Sequence, residues 1–195
     1  MGLMASTELK TKHFRILLLG LDEAGKSTLL YRVKFSNTDV LTAPTIGFNV
    51  EMLQRDKGVA LTVWDVGGQH KMRQLWPFYF QDTDGLLFVV DSADKGRMEA
   101  SKREFERAVK HECLKGIPVV VMANKQDLPG ALSADEITKR FHLKRWCSNR
   151  DWFVQPCCAR TGEGLSAALN VLISHVKKKT PSKYEGSHAS IREDR

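Results

Sequence analysis

The stretch from Gly20 to Leu30, GLDEAGKSTLL, constrains the fold of this chain more than any other. It satisfies G-x-x-x-x-G-K-S/T and stands between the apolar run RILLL and the helical pattern KSTLLYRVKF. A strand must therefore run into a tight glycine turn, and a helix must open directly behind it. Glycines let such a loop curl until successive backbone N–H groups and the helix N-terminus point at phosphate oxygens. Asp22, Glu23, Ala24, Gly25 and Thr28 would contribute through the backbone, Lys26 as a point charge and Ser27 as a hydroxyl for magnesium. Backbone binding leaves the carboxylates of Asp22 and Glu23 free to turn outward, tolerated rather than functional. The alternative, that one of them tunes hydrolysis or metal escape, stays open.

The rest of the chain supplies the sheet that this loop requires. RILLLG, GLLFVV and VVVMAN are continuous apolar runs, as read in parallel strands covered on both faces. IGFNVEML and VALTVWD flank the polar QRDKG and predict a hairpin. Leu165, Leu169, Leu172, Ile173 and Val176 form one helical stripe, and Met98, Phe105 and Val109 another. The sum is an α/β fold with a mostly parallel sheet, one antiparallel ribbon and helices on both faces, with ligands expected beyond the carboxyl ends of the strands. The expected organisation is an N-terminal segment over 1–13, a single domain over 14–176 and a basic polar tail, disordered, over 177–195.

Composition narrows the classes. With 195 residues, 42% hydrophobic, the chain can bury a core without covalent staples. No apolar run approaches the length of a membrane span, and a soluble, intracellular monomer is expected. Cys113, Cys147, Cys157 and Cys158 lack metal or disulfide spacing and read as reduced structural thiols, and the histidines are scattered. The net charge of +7 is interleaved with acids and shows no recognition-helix or aromatic-basic signature, so no nucleic-acid partner is expected. A mildly basic face toward anionic lipid fits at least as well.

Downstream motifs refine the ligand. NKQD, Asn124 to Asp127, ends the strand VVVMA: an ionised Asp127 can accept from both donors of guanine, whereas adenine offers no matching pair. Asn124 would tie this loop to the phosphate loop, and Lys125 would lay its stem along the base. In WDVGGQ, Asp65 would reach magnesium through water, Gly68 would offer an N–H to the terminal phosphate and Gln69 would orient the attacking water. Thr45 in PTIG would complete the magnesium shell. In CARTG, between Cys158 and Arg160, the Ala159 amide would face the guanine carbonyl.

In this order, from Gly20 to Thr161, these stretches resemble the Ras-like small GTPases. GLDEAGKS, PTIGFNVE, WDVGGQ, ANKQDLPGAL and TGEGL are similar to the ADP-ribosylation factor (Arf) family, and to its Arf-like (Arl) members in particular. Asp22 is usual in that family, whereas Glu23 and Arg160 stand where smaller or neutral residues are common. The resemblance implies a three-layer P-loop NTPase fold with a six-stranded sheet, one strand of it antiparallel. It implies GTP/GDP and Mg2+ as cofactors, and a switch whose segments around Thr45 and Gln69 rearrange with the nucleotide. It also implies an exchange factor, a GTPase-activating protein and effectors as partners, the effectors meeting Phe48, Trp64 and Tyr79. No switch arginine is evidently placed at the transferring phosphate, and Arg73 reads as part of a solvated helix. Slow hydrolysis, assisted by a partner's arginine finger, is the expectation.

MGLMAS fits the N-myristoylation pattern, with Gly2 as acceptor. One such chain binds membranes only marginally, so a second contact is needed. Leu3, Met4 and Leu9 with Lys10 and Lys12, or the tail lysines Lys177, Lys178, Lys179 and Lys183, are the candidates. The resemblance implies that the GDP form stows this segment and the GTP form releases it. The expected protein is cytoplasmic, with peripheral attachment to vesicles or other endomembranes in the GTP state and a role in membrane trafficking. Two alternatives are a GTP-binding module with negligible hydrolysis, against which Gln69 argues, and a P-loop phosphotransferase, which would need an arginine-rich lid.

Overall fold

The computed structural model describes residues 11–35, 43–55 and 58–179. Gly2, the remaining N-terminal membrane candidates up to Lys10, and Lys183 lie outside the described residues, as do two residues of the hairpin turn. The described elements are β1 (Lys12–Gly20), α1 (Lys26–Phe35), β2 (Phe48–Gln54), β3 (Val59–Val66), α2 (His70–Arg73), β4 (Gly85–Asp91), α3 (Met98–Val109), β5 (Val119–Asn124), α4 (Ala134–Arg140), α5 (Leu143–Trp146), β6 (Trp152–Pro156) and α6 (Leu165–Lys179).

The six strands run in the order β2-β3-β1-β4-β5-β6. β1 pairs in parallel with β3 and β4, and β4, β5 and β6 continue in parallel. Only β2 is antiparallel, opposite β3 with Phe48 facing Val66. The expected architecture is the observed one.

Side-chain alternation along the strands divides the interior in two. Leu17, Leu19, Leu86, Phe88, Val119 and Val121 point to the face covered by α3, α4 and α5, meeting Phe105, Ile137 and Phe141. Ile16, Leu18, Leu87, Val89, Val120 and Met122 point to the other face, against Leu29 and Leu30 of α1 and the Leu165, Leu169, Leu172, Ile173 and Val176 stripe of α6. This is why these strands read as unbroken apolar runs: both sides of each are covered. A capping box starts α4, with Ser133 Oγ accepting from the Glu136 N–H and the Glu136 carboxylate accepting from the Ser133 N–H.

Two boundaries differ from expectation. Lys12 lies in β1 rather than in a segment ahead of the domain, and its N–H donates to the Gly58 carbonyl across the hairpin end. Lys177, Lys178 and Lys179 belong to the last turn of α6 rather than to a tail, a position where cations complement the unpaired carbonyls of the helix end.

Five parallel strands end at one edge, and the start of antiparallel β2 lies beside the end of β3. Everything that follows a strand carboxyl end, together with Thr45 just ahead of β2, is thereby delivered to one side of the molecule.

Candidate functional site

At that side a cleft of about 440 Å³ is lined by Asp22, Glu23, Gly25, Lys26, Ser27, Thr28, Thr45, Gly68, Gln69 and Lys125 among others. A second hollow of about 270 Å³ is lined by Asn124, Lys125, Asp127, Cys158, Ala159 and Arg160. Gly25, Thr28 and Lys125 belong to both, so the two form one elongated site. Apart from Ala24 and Asp65, every residue expected at the nucleotide or its magnesium lines it.

Three oxygens converge at the start of α1. Ser27 Oγ donates to Asp65 Oδ2 at 2.5 Å, and since it has one proton, Thr45 Oγ1 is the donor in their 2.8 Å contact. Asp65 is fully buried, and its Oδ1 has no hydrogen-bond partner among the described residues. Burial raises its carboxyl above the usual range, opposed by the Ser27 hydrogen bond and the Lys26 charge. Lys26 is also buried, its Nζ donating to the Leu21 carbonyl at 3.1 Å. Desolvation lowers its ammonium, while Asp65 and Asp22 hold it up and Arg73 adds repulsion.

Backbone proximity explains two glycines. A Cβ on Gly25, which has φ of +93°, would lie 2.4 Å from Asn124 Nδ2. A Cβ on Gly68 would lie 2.4 Å from the Asp22 nitrogen, so the segment leading to Gln69 rests directly on the phosphate loop. Gln69 itself is exposed at the cleft wall.

The base side is braced as expected at Asn124, which donates from Nδ2 to the Ala24 carbonyl at 2.7 Å. Its Oδ1 accepts from the Ala159 N–H at 2.9 Å, and Ala159 itself lines the base-side hollow. The Lys125 ammonium sits 2.7 Å from Asp91 Oδ2, which pins the side chain where its stem walls both hollows. Asp127 has Cys158 Sγ at 3.2 Å from Oδ1 and Arg160 Nη2 at 3.2 Å from Oδ2. The Cys158 hydrogen bond holds the Asp127 carboxyl below its usual range against the opposing effect of burial, and Arg160 and Lys125 add to the lowering.

The acidic pair departs from expectation. Glu23 does turn outward, 74% exposed in a left-handed conformation with φ of +63°. Asp22 does not: Oδ1 accepts from Arg73 Nη2 at 3.0 Å and Oδ2 from Arg97 Nη1 at 3.2 Å. Arg73 is accordingly not on a solvated helix. Its side chain is 11% exposed, α2 is a single turn, and Nε donates to the Gly68 carbonyl at 2.7 Å. Arg97, just ahead of α3, has no motif to announce it. The only hint was the need for a cation beside a carboxylate in an anion-binding loop.

Phe48, Trp64 and Tyr79 stand together on the outer part of the sheet, with ring centroids 5.3 Å apart for Phe48–Trp64 and Phe48–Tyr79. The Arg15 guanidinium lies 3.8 Å from the Trp64 ring centroid. Ile46, Val50, Met52, Leu75 and Phe78 are also exposed. Of the three rings, Phe48 is 45% exposed, while Trp64 and Tyr79 are partly buried against the core beneath them.

The family model for the ADP-ribosylation factor family matches residues 1–176. The chain belongs to the ADP-ribosylation factor family. It is 56% identical over 178 residues to ADP-ribosylation factor-like protein 14 of Mus musculus, which covers 91% of this chain and 92% of that relative. Among solved structures it is similar to the Arl6 (BBS3) small GTPase of Trypanosoma brucei with the bound nucleotide analogue GppNp, at a TM-score of 0.79 and 31% identity over 87% of this chain and all of that one. As an Arf-family small GTPase with the P-loop NTPase fold, the chain carries the guanine-nucleotide binding and GTPase activity general to the family.

Proposed function

We propose that this Arf-family chain is a molecular switch that cycles between GDP and GTP, hydrolyses GTP slowly, and recruits effectors in its GTP state. The observation that carries the proposal is the contact of Ser27 with Thr45 in the same cleft as Gly68 and Gln69. Two segments far apart in sequence then share one ligand end, and a terminal phosphate would supply the differential contacts that a two-state equilibrium requires.

Asn124 would hold the base loop and Asp127 would read guanine, while the backbone of the phosphate loop and Lys26 would hold the phosphates. Gln69 would orient water. The residues fit magnesium: hydroxyls of Ser27 and Thr45, with Asp65 reaching through water and its buried Oδ1 still lacking a partner, form an oxygen-only set suited to a hard cation. When bound, the ion would neutralise phosphate charge. Among the described residues, the arginines that reach the phosphate loop, Arg73 and Arg97, are both engaged by Asp22, so hydrolysis would need an arginine from an activating partner.

Effectors would dock on Phe48, Trp64 and Tyr79. Attachment to endomembranes, and a trafficking role, would follow from a myristoylated Gly2 assisted by basic side chains, with the protein otherwise cytoplasmic and monomeric. No described helix is long and apolar enough to cross a membrane.

The test is chemical. Nucleotide extracted from purified protein should run as GDP or GTP, and adenine nucleotide would end the proposal. In single-turnover assays with GTP and an activating domain, the chain should release phosphate and Gln69→Leu should not. Equal release by both would remove Gln69 from its role, and no release by either would favour a binding module without turnover.

A further inference from the structure

The carboxylate of Asp22 is the middle of a chain of alternating charge. Asp94 accepts from the Arg97 N–H at 3.0 Å and from Arg97 Nε at 2.5 Å. Arg97 Nη1 donates to Asp22 Oδ2 and, at 3.3 Å, to the Asp22 carbonyl. Asp22 Oδ1 then takes Arg73 Nη2, and Arg73 Nε ends the chain on the Gly68 carbonyl. The start of α3, the phosphate loop and the segment bearing Gln69 are thus linked by charge-assisted hydrogen bonds, which are stronger than neutral ones.

We propose that Arg73 is a positioning residue for GTP hydrolysis that fixes the peptide preceding Gln69 directly, through its bond to the Gly68 carbonyl, while Asp22 orients its guanidinium and Arg97 anchors Asp22. The inference rests on the switch reading above. The Gln69 side chain is exposed and makes no hydrogen bond among the described residues; its backbone is held on one side by its own carbonyl, which accepts from the Met72 and Arg73 N–H groups, and on the other by the Gly68 peptide. That peptide is held from below by the phosphate-loop backbone and from the side by Arg73. A planar guanidinium can serve Gly68 and Asp22 together, whereas an ammonium has to divide its donors from a single point. Asp22 is then neither tolerated nor repulsive: it shares Arg97 with Asp94 and Glu23, and it orients Arg73.

Single-turnover hydrolysis of GTP at saturating magnesium provides the test, run with wild type, Arg73→Gln, Asp22→Asn, the double variant and Arg73→Lys, with GDP dissociation measured alongside. Arg73→Gln and Asp22→Asn should each slow phosphate release by roughly tenfold, and the double variant should be no slower than the slower single, as expected of residues acting as one unit. Arg73→Lys should recover part of the loss. GDP affinity of Arg73→Gln should move by less than about threefold, a split that general loosening of the fold would not produce. Unchanged hydrolysis in Arg73→Gln, multiplicative losses in the double variant, or faster hydrolysis in Asp22→Asn from relief of repulsion would each overturn the proposal. If wild type bound no guanine nucleotide, the switch reading would fall first and take this one with it. Normal wild-type turnover with indifferent variants would remove only the Arg73 role.

Discussion

Asn124 and Ala24, one hundred residues apart, are joined by a 2.7 Å hydrogen bond from the Asn124 carboxamide to the Ala24 carbonyl. The same side chain accepts from Ala159, so one buried residue fastens the phosphate loop, the β5 end and the loop after β6.

Replacing Asn124 with Ala would leave the Ala24 carbonyl and the Ala159 N–H unpaired, each at a cost of about 1–3 kcal/mol. The thermal midpoint should fall by roughly 4 °C or more, given about 2–4 °C per kcal/mol at this chain length. GDP should also dissociate faster. Thermal unfolding in excess GDP checks the first, and an unshifted midpoint would show that Asn124 is not a brace.

Ser27 touches both Thr45 and Asp65, so Ser27→Asn should damage the magnesium end of the cleft rather than the base end. GTP affinity should drop by on the order of tenfold more than GDP affinity, a difference of about 1.4 kcal/mol. Paired titrations with fluorescent GDP and a GTP analogue measure it, and parallel losses for the two nucleotides would contradict the placement.

Arg160 is 76% exposed and pairs with Asp127, so Arg160→Leu should change neutral-pH GDP affinity by less than about fivefold, as for other solvent-screened pairs. The acid limb is more telling. Because the folded-state carboxyl lies below its usual 3.8, Asp127 stays ionised and able to accept from guanine above that lowered value, and binding weakens as pH falls through it. Removing Arg160 takes away one lowering influence and should shift the acid limb of GDP binding upward. A limb at the same pH in both proteins would mean that the pair does not tune the base reader.

Gly2 lies outside the described residues, and its lipid is tested directly. Co-expressed with an N-myristoyltransferase, wild type should float with anionic liposomes mainly when loaded with a GTP analogue, and Gly2→Ala should stay soluble with either nucleotide. A single acyl chain supplies only on the order of 10⁴ M⁻¹, so added salt should weaken flotation if basic side chains provide the second contact. Equal flotation of acylated GDP and GTP forms would separate the lipid from the switch.

The strands and the phosphate loop are legible in the sequence because each is a local pattern. Runs such as Ile16 to Leu19 are covered on both faces, and Gly20, Gly25, Lys26 and Ser27 meet the backbone demands of one short loop. Asn124 is legible for a different reason, as part of a motif whose order in the chain is informative. The Asp22 bridge is not legible, because Arg73 and Arg97 reach it from 51 and 75 residues away and neither spacing recurs as a pattern. Arg73 reads as solvent-facing because a one-turn helix has no periodicity from which to find its buried side. The bond between Asn124 and the Ala159 amide is not legible for a related reason: which acceptor an N–H meets depends on how Asn124 is turned, and that is a tertiary fact.

Gly68 has no space for even a methyl group above the phosphate loop. The two segments therefore behave as an interlock: one can move past the other only by separating, since there is no side chain between them to compress or re-rotate. Any larger residue at position 68 would be a permanent wedge, holding Gln69 away from the phosphate end whatever nucleotide is loaded. Under the proposed switch, a Gly68→Ala protein would keep its nucleotide yet be unable to close over it, because the added methyl group would meet the Asp22 nitrogen at 2.4 Å.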